Sequence, residues 1–334
     1  MAISTRAVGV PVFALLAALS ASAPAPAPAQ ERAQRAPLLA STFPEQEAVS
    51  LFAIDGSQLT LAKSIPVGKS PGRMCVAGST LYVVTGSGAA AIDLTTRALA
   101  GTFAAPEMKA PFGCVVSPDG AKLYVTDRDG SAVFVFSAAS RQLLKKIPVP
   151  ADPRQAIFTP DGKTLVISCG DAGVLAVVDP ARDVVTRMEK TIGLDPRNMV
   201  LTPDGKYLVV ALVSSDILSW YDARTLEYVR SFGIARSPQG VVVAEDGARL
   251  YVSGAYEGVI GVVDLREKKG DGTPEPRQTS TIPIGPAYSL AASADGNYLY
   301  AAPTGGNGTV VDLRSWKVLK PAALKGAGIV FYVP

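Results

Sequence analysis

Short apolar runs rich in Val, Ile, Leu and Tyr recur along the chain, separated by turns of Gly, Pro and Asp. Leu123-Tyr124-Val125-Thr126, Leu165-Val166-Ile167-Ser168, Leu208-Val209-Val210, Leu250-Tyr251-Val252-Ser253 and Leu299-Tyr300 each follow a tight turn. The turns are Ser117-Pro118-Asp119-Gly120, Thr159-Pro160-Asp161-Gly162 and Thr202-Pro203-Asp204-Gly205. Weaker copies stand at Ala244-Glu245-Asp246-Gly247 and Ser293-Ala294-Asp295-Gly296. Their aspartates lie 42, 43, 42 and 49 residues apart. A second run ends in Asp55, Asp93, Asp179, Asp222, Asp264 or Asp312, and a third leads to Pro111, Pro153, Pro196, Pro238 or Pro286. Four short strands per ~42 residues is the spacing of a propeller blade.

Inner strands are expected to open at Pro71, Pro111, Pro153, Pro196, Pro238, Pro286 and Gly326, and outer strands near Leu59, Arg97, Arg141, Val184, Leu226, Thr279 and Lys317. The pattern therefore predicts an all-β, seven-bladed β-propeller with four antiparallel strands per blade. Leu38 to Thr42 reads as the second strand of the first blade. The orphan run Ile329-Val330-Phe331-Tyr332-Val333 is expected to complete that blade and close the ring, which removes exposed sheet edges. A polar insert, Glu267 to Gln278, accounts for the longest interval. In blade two, Ala77-Gly78-Ser79-Thr80 has lost the Asp-Gly pair.

The phrase Leu-Tyr-Val-Thr after Ser-Pro-Asp-Gly resembles the YVTN β-propeller repeat family, over roughly residues 37 to 334. That resemblance implies an exported bacterial protein. Relatives include propellers that hydrolyse sugar lactones, propeller lyases, and propellers associated with periplasmic quinoprotein and cytochrome systems.

The N-terminus agrees with export. Arg6 precedes the apolar stretch Val8 to Ala21, and Ala27-Pro28-Ala29 fits a signal-peptide cleavage site. Residues 1–29 are thus expected to be a signal peptide removed near Ala29, and 30–334 a single propeller domain in the periplasm or outside the cell. No later segment is apolar for long enough to span a bilayer. Three cysteines leave at least one thiol unpaired or shared between molecules. Counted from the preceding prolines, Cys75 and Cys114 point to opposite strand faces, so a bridge between them is not expected; Cys169 reads as a turn residue.

The chain contains no histidine. That excludes Ser-His-Asp and Cys-His catalysis and His-ligated metal or haem within it. A net charge of +3 argues against nucleic acid as the main partner. The Asp-Gly pairs and strand-ending aspartates read as turn formers, and no metal or cofactor is expected.

A repeated scaffold places function where its copies differ. After the inner-strand prolines stand Arg73, Phe112, Arg154, Gln155, Arg197, Asn198, Gln239 and Tyr288, with Asp127 and Arg128 from a second loop set on the same face. Arginines grip carboxylate or phosphate, so these residues form a candidate anion-binding mouth. Pairing of the arginines with nearby aspartates is the competing reading. On the first reading the rim arginines are dispensable for stability. The preferred function is a monomeric, non-catalytic binding or scaffold protein for a small anion or an envelope partner. A lactonase-like hydrolase or lyase would have to use Asp127, Asp171, Tyr256 or Glu257 as acid and base. A partner of periplasmic redox proteins is the third reading.

Overall fold

Neighbouring side chains on a strand point to opposite faces, so a run that is apolar at every position needs cover on both. Stacking blades in a ring supplies that cover. The computed structural model describes residues 37–333 other than 245, 268, 271, 272, 274 and 303–305. The expected signal segment and its cleavage site lie outside the described residues. Seven four-stranded antiparallel sheets form the blades, each meandering outward from an innermost strand. Blade three, for example, runs through Pro111–Val116, Lys122–Asp127, Ala132–Ser137 and Leu143–Pro148. In its second strand Leu123 and Val125 pack on blade two, whereas Tyr124 packs on blade four. The outer strand is exposed at every residue but Ile147.

The ring closes as expected. Val330–Val333 pairs antiparallel with Leu38–Phe43, which continues to Ala48–Asp55 and Gln58–Pro66. Four inner strands begin at their prolines, Pro111, Pro153, Pro196 and Pro238; the strand of blade two begins at Met74 and that of blade seven at Ser289. Blade one differs in one respect. Its third strand runs on through Asp55, which pairs with Gln58 across a two-residue hairpin, so Asp55 does not take the turn-capping place of Asp93. The insert after Asp264 links the third and outer strands of blade six.

The repeated turns are held as the sequence implies. Asp119 Oδ1 accepts hydrogen bonds from Ser117 Oγ (2.5 Å) and the Ala121 amide (3.0 Å), and Gly120 sits at φ +73°. Asp161, Asp204 and Asp295 repeat this pattern. Gly162 has a second reason to be glycine: a Cβ there would lie 2.9 Å from Pro118 of the preceding blade. The equivalent approach is 3.2 Å for Gly205 on Pro160 and for Gly247 on Pro203. Each turn proline thus leans on the next turn glycine around the ring. The strand-ending aspartates cap four-residue turns, Asp93 accepting from the Thr95 and Thr96 amides and Asp222 from those of Arg224 and Thr225. Arg266 holds the Asp264 carboxyl down at about 2.

Two expectations about the cysteines fail. Cys75 and Cys114 form a disulfide, with Cα atoms 5.9 Å apart. The face assignment itself holds: Cys75 pairs with Tyr82, whose face looks toward blade three, and Cys114 with Val125, whose face looks back at blade two. In a ring those opposite faces are the ones that meet. Parity argues against a bridge only within one sheet, and these sheets stack face to face. Cys169 ends the strand Leu165–Cys169 rather than lying in a turn, and burial pushes its thiol up to about 12. A thiol so placed is inert.

Denatured without reductant, the protein should therefore show one titratable thiol, that of Cys169. Replacing Cys75 and Cys114 by Ser should lower the unfolding free energy by about 2–4 kcal/mol, read by urea titration. Three titratable thiols would contradict the inter-blade bridge.

Candidate functional site

The variable residues of the inner strands sit on a repeated irregularity. Between Pro111 and Cys114, Pro153 and Ala156, Pro196 and Met199, and Pro238 and Val241 the inner strand carries one residue more than its partner. Blade two does the same, Gly72 and Arg73 both bonding to Val84. Such bulges re-aim side chains. In blades three, four and six they are held by the hydroxyl that ends the apolar run, Thr126, Ser168 or Ser253; blades two and five have Val84 and Ala211 there. Thr126 Oγ1 accepts from the Gly113 amide (2.8 Å) and donates to the Arg154 carbonyl of the next blade (2.8 Å). Ser168 Oγ likewise accepts from Gln155 N (3.1 Å) and donates to the Arg197 carbonyl (2.6 Å).

Strand register then stacks the inner-strand residues in rings. Met74, Cys114, Ala156, Met199, Val241 and Leu290 occupy equivalent places opposite Val83, Val125, Ile167, Val210, Val252 and Ala301. Val330 completes this apolar ring in blade one. One residue nearer the mouth lie Arg73, Gly113, Gln155, Asn198, Gly240, Ser289 and Ile329. Most members of both rings, with Tyr288 and Phe331, line a channel cavity of about 210 Å³.

The ten predicted residues divide by what already holds them. Asp127 is fully buried, and its oxygens accept from the amides of Lys109 and Ala110, the shortest at 2.6 Å. It is a cap. Arg128 pairs with the exposed Asp129 at 3.0 Å. Gln155 bridges blades four and five through both the amide and the carbonyl of Met199, at 2.7 and 3.0 Å. Asn198 donates through Nδ2 to the Gln239 carbonyl, and Gln239 Oε1 accepts from Arg197 at 3.4 Å. These amides form a seam between blades instead of a free row of donors. The exception is Asn198 Oδ1, which is buried and, among the described residues, accepts no hydrogen bond. Tyr288 is 41% exposed at the mouth.

The three channel arginines are unequal. Arg154 Nε lies 2.7 Å from Asp152, which is only 6% exposed, and Arg197 lies 2.9 Å from Asp195. Among the described residues the Arg73 side chain has neither hydrogen bond nor ion pair. Its guanidinium lies 4.9 Å over the Phe112 ring, which Arg154 and Arg128 approach at 5.0 and 6.0 Å. Burial, and then the like charges of Arg154 and Arg197, push Arg73 down to about 10. The signal for this inequality is in the sequence. Asp152-Pro153-Arg154 and Asp195-Pro196-Arg197 carry an aspartate before the proline, where blade two has Ser70-Pro71-Gly72-Arg73.

The acid–base candidates stand apart from the cavity. Asp171 and Glu257 are exposed, and Tyr256 is 74% exposed with Arg236 at 4.7 Å from its ring. None of them, nor Asp127, lines the channel cavity, which has no carboxylate among its described lining residues. Among the described residues no three His, Cys, Asp or Glu side chains are placed to hold a metal ion. No described helix is long and apolar enough to cross a membrane.

No protein-family model and no curated protein matches the chain. Solved structures do. The chain is similar to Kuenenia stuttgartiensis hydrazine synthase, with 26% identity over 73% of this chain and 76% of that one and a TM-score of 0.60. It is similar to a putative 6-phosphogluconolactonase from Bacteroides fragilis, with 14% identity, coverage of 89% and 98%, and a TM-score of 0.75. The periplasmic gluconolactonase of Pseudomonas aeruginosa gives 16%, 89%, 99% and 0.71. The two lactonase likenesses carry the fold alone.

Pairing predicts opposite stability effects at two arginines of one site. Arg154→Ala leaves the buried Asp152 carboxylate without its partner and should destabilise the protein by about 1–3 kcal/mol, which corrects the expectation of a dispensable rim residue. Arg73→Ala removes an unpaired, partly buried cation and should leave stability unchanged or raised. Equal losses in urea unfolding would show that Arg73 has a partner.

Proposed function

We propose that the protein is an exported propeller of the YVTN type that binds a small anion in its central channel through Arg73. The observation that carries this reading is the Arg73 guanidinium, which lines the channel cavity and is unpaired among the described residues, whereas the nearby Arg154 and Arg197 outside that lining are neutralised by Asp152 and Asp195. A buried cation without a counter-charge is costly, and an anion entering the channel removes that cost with a charge-assisted contact. Phe112 fixes the guanidinium by its ring face. The neighbouring bulges held by Thr126 and Ser168 and the paired Arg154 and Arg197 keep the surrounding shell rigid, so little ordering opposes binding. The Cys75–Cys114 bridge supports the exported setting, since disulfides persist in oxidising compartments.

The reading is tested by calorimetry against sodium salts of monocarboxylates, sugar acids and phosphate. The tightest binder of that set should lose about ten- to hundredfold in affinity on Arg73→Ala, the worth of one charge-assisted hydrogen bond. An Arg73→Ala protein that binds it as tightly as the parent would place the anion site elsewhere.

A further inference from the structure

We propose that the Cys75–Cys114 disulfide is an exchange site for small anionic thiols, compounds that carry a carboxylate as well as a sulfhydryl and reach the bridge through the channel. This role rests on the Arg73 reading and adds a covalent step beside that cation. Both cysteines are half-buried, unlike the buried Cys169, and Cys114 lines the same cavity of about 210 Å³ as Arg73. A thiol that enters the channel meets Cys114 with the ring intact.

The chain path brings the cation to the bridge. Arg73 and Cys75 stand two residues apart at the start of one inner strand, and both reach across to blade three. Arg73 meets the Phe112 ring at 4.9 Å, and Cys75 meets Cys114, two residues after Phe112. These are neighbouring contacts across one seam. Its neighbours are strapped by hydroxyls, Thr126 donating to the Arg154 carbonyl and Ser168 to that of Arg197. In blade two the place of Thr126 belongs to Val84, whose side chain has no donor, and the disulfide ties the inner strands there instead.

Exchange begins when a thiolate attacks one sulfur and the other leaves as thiolate. Here the entering sulfur bonds to Cys114 Sγ as the Cys75–Cys114 bond breaks. The electron pair goes to Cys75 Sγ, which takes a proton from water. A second thiolate then attacks the small compound's sulfur, releasing the Cys114 thiolate and a small disulfide. Two thiols are oxidised and both cysteines reduced. Arg73 assists in two ways: its unpaired charge draws the carboxylate of the entering thiol, and a neighbouring cation favours the thiolate that leaves. No carboxylate among the described lining residues repels the anion. A cationic thiol is repelled by Arg73 itself.

The test is the rate at which 3-mercaptopropionate, 2-mercaptoethanol and cysteamine (anionic, neutral and cationic) reduce the native protein, followed by alkylation and mass spectrometry. Each rate is taken per thiolate and divided by that of the same thiol on bis(2-hydroxyethyl) disulfide, which removes differences in nucleophilicity. Mercaptopropionate should be about tenfold faster than mercaptoethanol, and cysteamine slowest. Arg73→Ala should abolish the ranking. Should that variant fail to fold, about 1 M sodium chloride should abolish it in the parent, by screening. Equal normalised rates would overturn the proposal, as would reduction that waits on unfolding and does not quicken with thiol concentration. Reduction blind to charge, with anion binding still lost on Arg73→Ala in calorimetry, would remove the exchange role and keep the anion site. If neither reduction nor anion binding depends on Arg73, the anion reading fails as well.

Discussion

Every blade of this protein buries both of its faces against neighbours, so no blade is stable in an open row. That constraint makes ring closure the interaction on which the rest depends. Closure is made by pairing Leu38–Phe43 with Val330–Val333. Ile329 and Gly328 exchange backbone hydrogen bonds of 3.0 and 2.8 Å with Thr42, whose hydroxyl also accepts from the Ile329 amide at 2.9 Å. A ring closed in this way has one interior, walled by seven inner strands at the same register. Any difference among the repeats that faces this interior becomes a feature of a single site. The same geometry explains why the variable residues sit on bulges: there the ladder is interrupted, and Thr126 and Ser168 satisfy the freed amides.

Charge within that interior is nearly balanced. The Asp-Pro-Arg segments of blades four and five supply their own carboxylates, with Asp152 and Asp195 both at φ +60°. Aspartate tolerates this left-handed conformation. Blade two reaches the same left-handed turn at Ser70 (φ +51°) but brings no charge, and the glycine that follows Pro71 moves the arginine one step deeper. One substitution pattern thus converts a structural ion pair into an open binding valence. The neighbouring Cys75–Cys114 bridge ties blade two to blade three beside Phe112, the ring on which Arg73 rests.

Most of the fold was legible because it is repetitive. The Ser/Thr-Pro-Asp-Gly turn announces every strand pair it precedes, and the orphan run after Gly328 could only complete the first blade. What escaped were relations between blades. Strand parity placed Cys75 and Cys114 on opposite faces correctly, yet a one-dimensional count does not reveal that opposite faces of adjacent blades touch. The site was legible as a set of residues and illegible as a set of roles. Gln155 and Asn198 read as ligand donors, but hydrogen bonding across a seam joins residues some forty positions apart. The aspartates that neutralise Arg154 and Arg197 stood two residues before them, and the absence of one before Arg73 was the clue to the open charge.

The central claim, that the channel holds one uncompensated cation, is open to direct observation by diffraction from crystals soaked in bromide. An anomalous peak is expected inside the channel against the Arg73 guanidinium, and none against Arg154 or Arg197, whose carboxylate partners exclude a halide. A channel without bromide, with peaks confined to the outer surface, would contradict it.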